Sequence, residues 1–240
     1  GLGEYSQLYC LVPEKDFFVG GVLNRGTYQK PVLKFEIYKR AYPGFKRDWN
    51  LEFEGPVLQP PVTLTNRVVV VQDNAVTLVD FDGSKRTIVE GEFAALTVSV
   101  GPDNLIYLVV RTETGTTLRA YDLEGVLQWE GICEIQEFTQ PPLVNADGLV
   151  YLAGKSRVTA YQEGIEQWTY ATGAEAPKAT AFAQNKLVVT DGGRIVCLDG
   201  FGEIVWKYDD KDGDIYLTPP VADSQGRILV ASDKKILRLE

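Results

Sequence analysis

From residue 59 onward the chain alternates short apolar runs with clusters of Gly, Asp, Asn and Pro, and no stretch keeps a 3.6-residue apolar period for three turns. Runs of four to six β-branched or aromatic residues bounded by turn formers are strand signals. One set is almost wholly apolar: Val68–Val71, Leu105–Val110, Leu149–Ala153, Leu187–Thr190 and Ile228–Ala231. A second set follows each of these after a short turn and mixes apolar with polar positions: Val76–Asp80, Leu118–Tyr121, Val158–Tyr161, Ile195–Leu198 and Ile236–Leu239. An Asp/Gly turn then leads to a further strand that carries Trp, and a Pro-Pro or Ala/Thr/Val stretch opens the next unit. The pattern predicts an all-β chain made of four-stranded units.

The units recur at a fixed spacing. Residues 140–168 (QPPLVNADGLVYLAGKSRVTAYQEGIEQW) align with 177–206 (PKATAFAQNKLVVTDGGRIVCLDGFGEIVW), and 59–87, 96–129 and 218–240 fit the same frame. The turn glycines Gly83, Gly125, Gly164 and Gly202 are 42, 39 and 38 residues apart, and Trp129, Trp168 and Trp206 are 39 and 38 apart. A period near 40 lies in the range of β-propellers. A lone four-stranded sheet has two apolar faces and two open edges, so it must stack with neighbours to be stable. The repeated Trp is expected to fill the space between neighbouring blades, a packing role. A degenerate first unit is expected around Trp49, with Asp16–Gly21, Val32–Tyr38 and Asp48–Phe53 as its second to fourth strands.

The fold class expected is therefore a β-propeller of about six four-stranded blades, with five or seven if the first unit is misread. The blades fall near residues 8–53, 59–90, 96–130, 140–170, 177–208 and 216–240 of a single domain spanning 1–240. The last unit lacks its outer strand, and residues 1–7 (GLGEYSQ) are the candidate to supply it; otherwise the chain is a fragment of a longer propeller.

Pro141, Pro142, Val150–Leu152, Val158–Tyr161, Gly164 and Trp168, with Leu187–Val189, Ile195–Asp199, Gly202 and Trp206, carry a family likeness. Their pattern resembles the repeat of the pyrroloquinoline-quinone-like propellers. That family includes the quinoprotein alcohol dehydrogenases and an outer-membrane assembly lipoprotein that scaffolds β-barrel insertion. About four-fifths of the chain follows the pattern. The quinoprotein enzymes so resembled hold their quinone with calcium, a stacking Trp and a vicinal Cys-Cys disulfide. Here no cysteines are adjacent, and the four Trp residues sit at position 49 and at the three repeat positions. One superfold hosts enzymes and scaffolds alike, and with those site parts absent the resemblance implies a scaffold more than an enzyme. Cys10, in the context QLYC, does not read as a lipoprotein attachment site.

Composition narrows the chemistry. The 240 residues include no His, which excludes Ser-His-Asp and Cys-His catalysis, HExxH zinc chemistry and His-ligated haem. With no Met, the chain is expected to be a processed or trimmed product. A net charge of −9 argues against nucleic acid or an anionic membrane as partner. No apolar run is long enough to span a bilayer. An extracytoplasmic location is expected if a signal peptide has been removed. Cys10, Cys133 and Cys197 are too few and too scattered for a metal site or a disulfide framework, and buried thiols are expected, with one disulfide left open.

In a propeller the fourth-to-first and second-to-third connections share one face. The segments expected there are 54–58, 89–95, 130–139, 171–177 and 209–216, with 22–30 and 111–115 from the other set. They are rich in acids, among them Glu54, Glu90, Glu92, Glu130, Glu134, Glu137 and Asp209, so an acidic protein-binding face is expected, with a solvated rim as the plain alternative. Phe93, Ile132, Ile135 and Phe138 are either binding anchors or plugs tucked beneath the loops. Glu92, Phe93, Glu130, Glu134, Glu137 and Phe138 are the candidate partner-binding residues. In YDDKDGDIY, alternate carboxylates of Asp210, Asp212 and Asp214 flank Gly213 at a spacing that partly resembles a calcium loop, although a solvated turn is the more ordinary reading. No other cofactor is expected. The basic group Lys39, Arg40, Lys46 and Arg47, interleaved with Tyr38, Tyr42 and Phe45, is expected to be a solvated hairpin. The function expected is a non-enzymatic scaffold or protein-binding module of a bacterial envelope. The alternatives are a quinone- and calcium-dependent oxidoreductase, or a carbohydrate-binding propeller, which requires exposed aromatics between blades.

Overall fold

The computed structural model describes residues 7–13, 17–23, 32–41, 44–54, 59, 61–64, 67–80, 82–135, 137–182, 185–214, 216, 218–223, 227–232 and 234–239. The chain divides into two compact units, Gly1–Leu96 and Thr97–Glu240. Among the described residues there is no helix.

The first unit holds two four-stranded antiparallel sheets. One is β1 (Gln7–Pro13), β2 (Phe17–Leu23), β3 (Val32–Ala41) and β4 (Gly44–Glu54); the other is β5 (Val62–Leu64), β6 (Arg67–Gln72), β7 (Ala75–Asp80) and β8 (Lys85–Glu90). The first sheet contains the three strands expected around Trp49 and one more, β1. Residues 1–6, expected as part of an outer strand for the last unit, lie outside the described residues, and Gln7 begins β1. The expected basic hairpin is the β3–β4 ladder, in which Lys39 pairs with Lys46 and Arg40 with Phe45. Tyr42 lies outside the described residues.

The second unit contains β9 (Ala94–Val100), whose start straddles the boundary, then β10 (Ile106–Thr112), β11 (Gly115–Tyr121) and β12 (Leu127–Ile132). The next sheet is β13 (Leu143–Val144), β14 (Val150–Gly154), β15 (Arg157–Gln162) and β16 (Ile165–Ala171), followed by β17 (Lys178–Phe182), β18 (Lys186–Asp191), β19 (Arg194–Leu198) and β20 (Ile204–Asp209). A three-stranded sheet closes the sequence: β21 (Val221–Ala222), β22 (Ile228–Ala231) and β23 (Ile236–Leu239). Each sheet is a simple up-and-down meander. The first strands of successive sheets lie side by side, β13 against β17 and β17 against β21.

Successive strand residues point to opposite faces, so a strand buried on both faces reads as an unbroken apolar run. β18 shows it. Leu187 and Val189 join Tyr151, Val158 and Ala160 in one core, while Val188 joins Ile195, Tyr216, Ile228 and Val230 in the next. Each such fully buried aliphatic side chain contributes about 1.5–3 kcal/mol. The outer strands β12, β16 and β20 are covered on one side only.

A bulge recurs near the start of these outer strands, between Ala120 and Tyr121, Ala160 and Tyr161, and Cys197 and Leu198 on the facing strand. It places each Trp opposite a small residue: Trp129 faces Ala120, Trp168 faces Ala160 and Trp206 faces Cys197. Trp168 then reaches across to the next sheet. Its Nε1 donates to Gly200 O at 2.9 Å, and its ring tilts against Tyr151 with centroids 5.8 Å apart. The expected interblade role of this Trp is met. Further hydrogen bonds span one repeat: Thr139 Oγ1 donates to Pro177 O at 2.6 Å, Thr180 Oγ1 donates to Pro220 O, and Gln140 both donates to Ala179 O and accepts from Ala179 N.

Candidate functional site

The two loop sets expected on one face do meet. Ser156 N donates to Glu175 O and Thr172 N to Ser156 O; Asp210 N donates to Gly193 O and Tyr216 N to Gly192 O. In the first unit, Gly91 N donates to Asn74 O and Ala95 N to Asp73 O. The β8–β9, β16–β17 and β20–β21 loops are thus tied by backbone bonds to the second-to-third turn of their own sheet, whereas the β12–β13 loop bonds to the next sheet, Lys155 N donating to Glu137 O and Thr139 N to Ala153 O. Residues 24–30 and 55–58 of the expected face lie outside the described residues.

The predicted partner-binding residues separate on inspection. Glu92 is exposed and Phe93 half-buried in the short β8–β9 connection of the first unit. Glu130 belongs to strand β12 rather than to a loop, and its Oε2 lies 3.1 Å from Arg119 Nε. Glu134 and Glu137 are exposed in the β12–β13 loop, 4.0 Å from Arg157 Nη1 and Lys155 Nζ respectively. Ile135 is buried and acts as a plug. Phe138 is half-buried and its backbone bridges to Gly154. Ile132 is 81% exposed. Two grooves flank this loop. One, of about 410 Å³, is lined by Glu134, Ile135, Glu137, Lys155, Ser156 and Arg157; the other, of about 540 Å³, by residues 111–116, Ile132, Cys133 and Glu134. Acids and bases alternate around them, so the local surface is mixed in charge where acid alone was expected.

The three carboxylates of the calcium-like motif do converge on one cation, and that cation is an ammonium. Lys235 Nζ lies 2.9 Å from Asp210 Oδ2, 3.0 Å from Asp212 Oδ2 and 3.2 Å from Asp214 Oδ2, while Lys234 Nζ lies 2.8 Å from Asp214 Oδ1. The side chains of Asp210 and Asp214 are 0% and 3% accessible. The hydroxyl of Tyr216 donates to Asp210 Oδ2 at 2.5 Å, and Asp212 N donates to Asp210 Oδ1 at 2.8 Å. Hydrogen bonds from Tyr216 and Lys235 hold the Asp210 carboxyl well below the usual carboxylate range, and Lys234 does the same for Asp214. Lys235 is pushed up by its carboxylate partners, and Tyr216 is pushed up by burial and by Asp210. With their lone pairs turned to two ammonium groups, these residues do not fit a calcium ion. Among the described residues no group of acids, Cys or His is arranged to hold a metal.

Cys133 and Cys197 are free thiols, both buried. Burial pushes the Cys197 thiol up to about 11 and raises that of Cys133 as well, which leaves little nucleophilic thiolate.

Sequence reasoning missed the roles of Lys234 and Lys235, which complete the aspartate cluster from the β22–β23 turn, and of Tyr216, which joins it from the same loop as the acids. It also missed a cleft on the opposite side of the sheets, of about 450 Å³, lined by Leu149, Gln162, Gln167, Trp168, Asn185, Asp199, Gly200 and Phe201. A signal was present. Gln162 stands where other repeats have the turn Asp, and Phe201 stands where they have an acid.

Meandering four-stranded sheets stacked through their first strands and joined by interblade Trp contacts define a β-propeller class of protein. Residues 154–240 match the family model described as outer membrane protein assembly factor BamB. No curated protein sequence matches the chain. Solved structures of propeller type share the fold. Virginiamycin B lyase from Staphylococcus aureus is 14% identical with a TM-score of 0.62, over 97% of this chain and 80% of that one. The WD40 domain of Neurospora crassa Pan2 is 10% identical with a TM-score of 0.62, over 95% and 76%. The extracellular domain of a hybrid two-component system from B. thetaiotaomicron is 11% identical with a TM-score of 0.58, over 100% of this chain and 32% of that one.

Proposed function

We propose that the chain is a non-enzymatic propeller scaffold of about six blades that binds another protein outside the cytoplasm, on the grooves around the β12–β13 loop. The observation that carries this reading is Ile132. A large aliphatic side chain 81% exposed, lining one groove together with Arg111, Glu113 and Glu134, with Glu134 shared by a second groove that Glu137, Lys155 and Arg157 also line, has the layout of an interface: an apolar anchor beside polar and charged groups. The family match over 154–240, to a protein named for assembly at the outer membrane, supports both the scaffold role and the location. The extracellular setting of one structural neighbour points the same way. Among the described residues no helix is long and apolar enough to cross a membrane.

Site-specific photocrosslinking in envelope preparations tests the proposal. A crosslinker at position 132 or 137 is expected to capture one defined protein, while the same group at Val205, on an outer strand, captures none. Ile132→Asp is expected to weaken that complex by about tenfold or more, the loss typical of a central apolar anchor. Equal labelling from all three positions overturns it.

A further inference from the structure

We infer that the cleft beside Trp168 and Phe201 is a binding site for a neutral carbohydrate. The repeat supplies its own comparison. In the third-to-fourth strand turns, the residue before the turn glycine is Asp82, Glu124 or Glu163 in three repeats, each an exposed acid, and Phe201 in the fourth. Phe201 is 84% exposed. The residue that opens the turn is Asp80, Asp122 or Asp199 in three repeats; in the other the turn is one residue shorter and Gln162, paired with Ile165, ends the third strand in its place. Asp122 and Asp199 cap their turns: Asp122 Oδ1 accepts from Glu124 N and Val126 N, and Asp199 Oδ1 accepts from Phe201 N at 2.9 Å and Glu203 N at 3.0 Å. Gln162 gives up that role. The two departures from the repeat, on adjacent sheets, line one cleft.

The cleft has the chemistry that sugar rings need. Its volume of about 450 Å³ lies within the range of small-ligand sites. Phe201 is an aromatic face in water whose backbone N–H is held by the Asp199 cap, and Trp168 is a second aromatic wall fixed by its bond to Gly200 O. Rigid presentation lowers the entropy lost on binding. The polar atoms are short-reach and mixed. Gln167 Nε2 donates to Ile165 O, Gln162 Nε2 donates to Asp147 O, and Asn185 Oδ1 accepts from Asn145 Nδ2. Gln162 Oε1, Gln167 Oε1, Asn185 Nδ2 and Asp199 Oδ2 take up no further bond among the described residues. That set offers three acceptors and one donor group to hydroxyls, and no cationic side chain lines the cleft to favour a phosphate or carboxylate ligand. Aromatic faces with amides and one carboxylate match the apolar C–H face and equatorial hydroxyls of a pyranose.

Trp168 lies in the cleft, so intrinsic fluorescence reports occupancy. Titration with cellobiose and with N,N′-diacetylchitobiose is expected to change the emission saturably for at least one of them, in the millimolar range or below. Phe201→Glu restores the acid that the other repeats carry before the turn glycine, and Gln162→Asp shortens an exposed side chain at the mouth of a turn one residue shorter than the others, so both variants are expected to keep the wild-type melting temperature while binding falls about tenfold. No saturable change with either disaccharide, unaltered binding in both variants, or a response confined to a cationic probe such as choline overturns the assignment.

Discussion

Lys235 has three carboxylates within 3.2 Å, two of them on side chains closed to solvent, and the Tyr216 hydroxyl donates to one of these, Asp210. Buried ionic groups stay in place because each charge has a partner; removing one partner leaves the other charges uncompensated. The cluster ties the β20–β21 loop to the β22–β23 turn, and the depressed Asp210 and Asp214 link it to pH. A carboxyl lower in the folded than in the unfolded chain stabilises the fold above the unfolded value, near 4, and that stabilisation is lost as pH falls toward the folded value. The melting temperature is therefore expected to drop steeply between about pH 4 and pH 2. Lys235→Met is expected to lower it at pH 7 and to flatten the acid decline. At the alkaline end the raised Lys235 and Tyr216 act in the opposite sense: their contribution is complete below about pH 10 and is lost as pH rises through their elevated values. Parallel pH profiles for wild type and Lys235→Met, measured by thermal melts, would falsify the linkage.

At the scale of the sheet, stacking distance is set by two glycines. A Cβ on Gly202, at φ +82°, would sit 2.7–3.0 Å from ring atoms of Trp168, and a Cβ on Gly131 would overlap the carbonyl of Gly164 in the turn of the next sheet. Gly131 is the sharper test, because its obstacle is backbone that cannot rotate away. Gly131→Ala is expected to cost about 2 kcal/mol or more in urea unfolding, well beyond the usual effect of a surface substitution. A cost near zero would mean that the sheets slide apart freely at this point. The turn glycines and the Trp spacing were legible in the sequence because φ > 0 and interblade packing each demand one residue type. The second strands were legible because burial on both faces leaves an unbroken apolar run, as in Val68–Val71, and the third because mixed apolar and polar positions recur after each of them at a fixed offset. The bulge beside Trp168 was not, since a bulge is one extra backbone residue with no side-chain signature of its own. Strand β1, apart from Gln7, fell inside the expected first blade, 8–53, but was not singled out, because QLYCLVP departs from the repeat. The aspartates were weighed as a partial calcium loop against a solvated turn because their acids are local, and neither reading foresaw the lysine that neutralises them, which comes from the following hairpin.

Across the second unit the same contacts recur one period apart, so cohesion between sheets rests on a few repeated hydrogen bonds laid over continuous apolar cores. Gln140 is the most informative of them. Its amide accepts from Ala179 N at 2.8 Å and donates to Ala179 O at 3.2 Å, acting as a one-residue strand between neighbouring sheets. Ala179 itself is buried, so an unpaired N–H or C=O there has little water to turn to. Gln140→Ala is expected to cost about 2 kcal/mol, from two net hydrogen bonds and the desolvated groups left behind. The slope of free energy against urea then reports how the sheets cooperate. If the sheets formed by β13–β16 and β17–β20 unfold together, the midpoint shifts and the slope stays at its wild-type value. A reduced slope, or a second transition seen by Trp168 fluorescence but not by circular dichroism, would show that this pair of bonds, rather than the apolar core between the sheets, makes them one cooperative body.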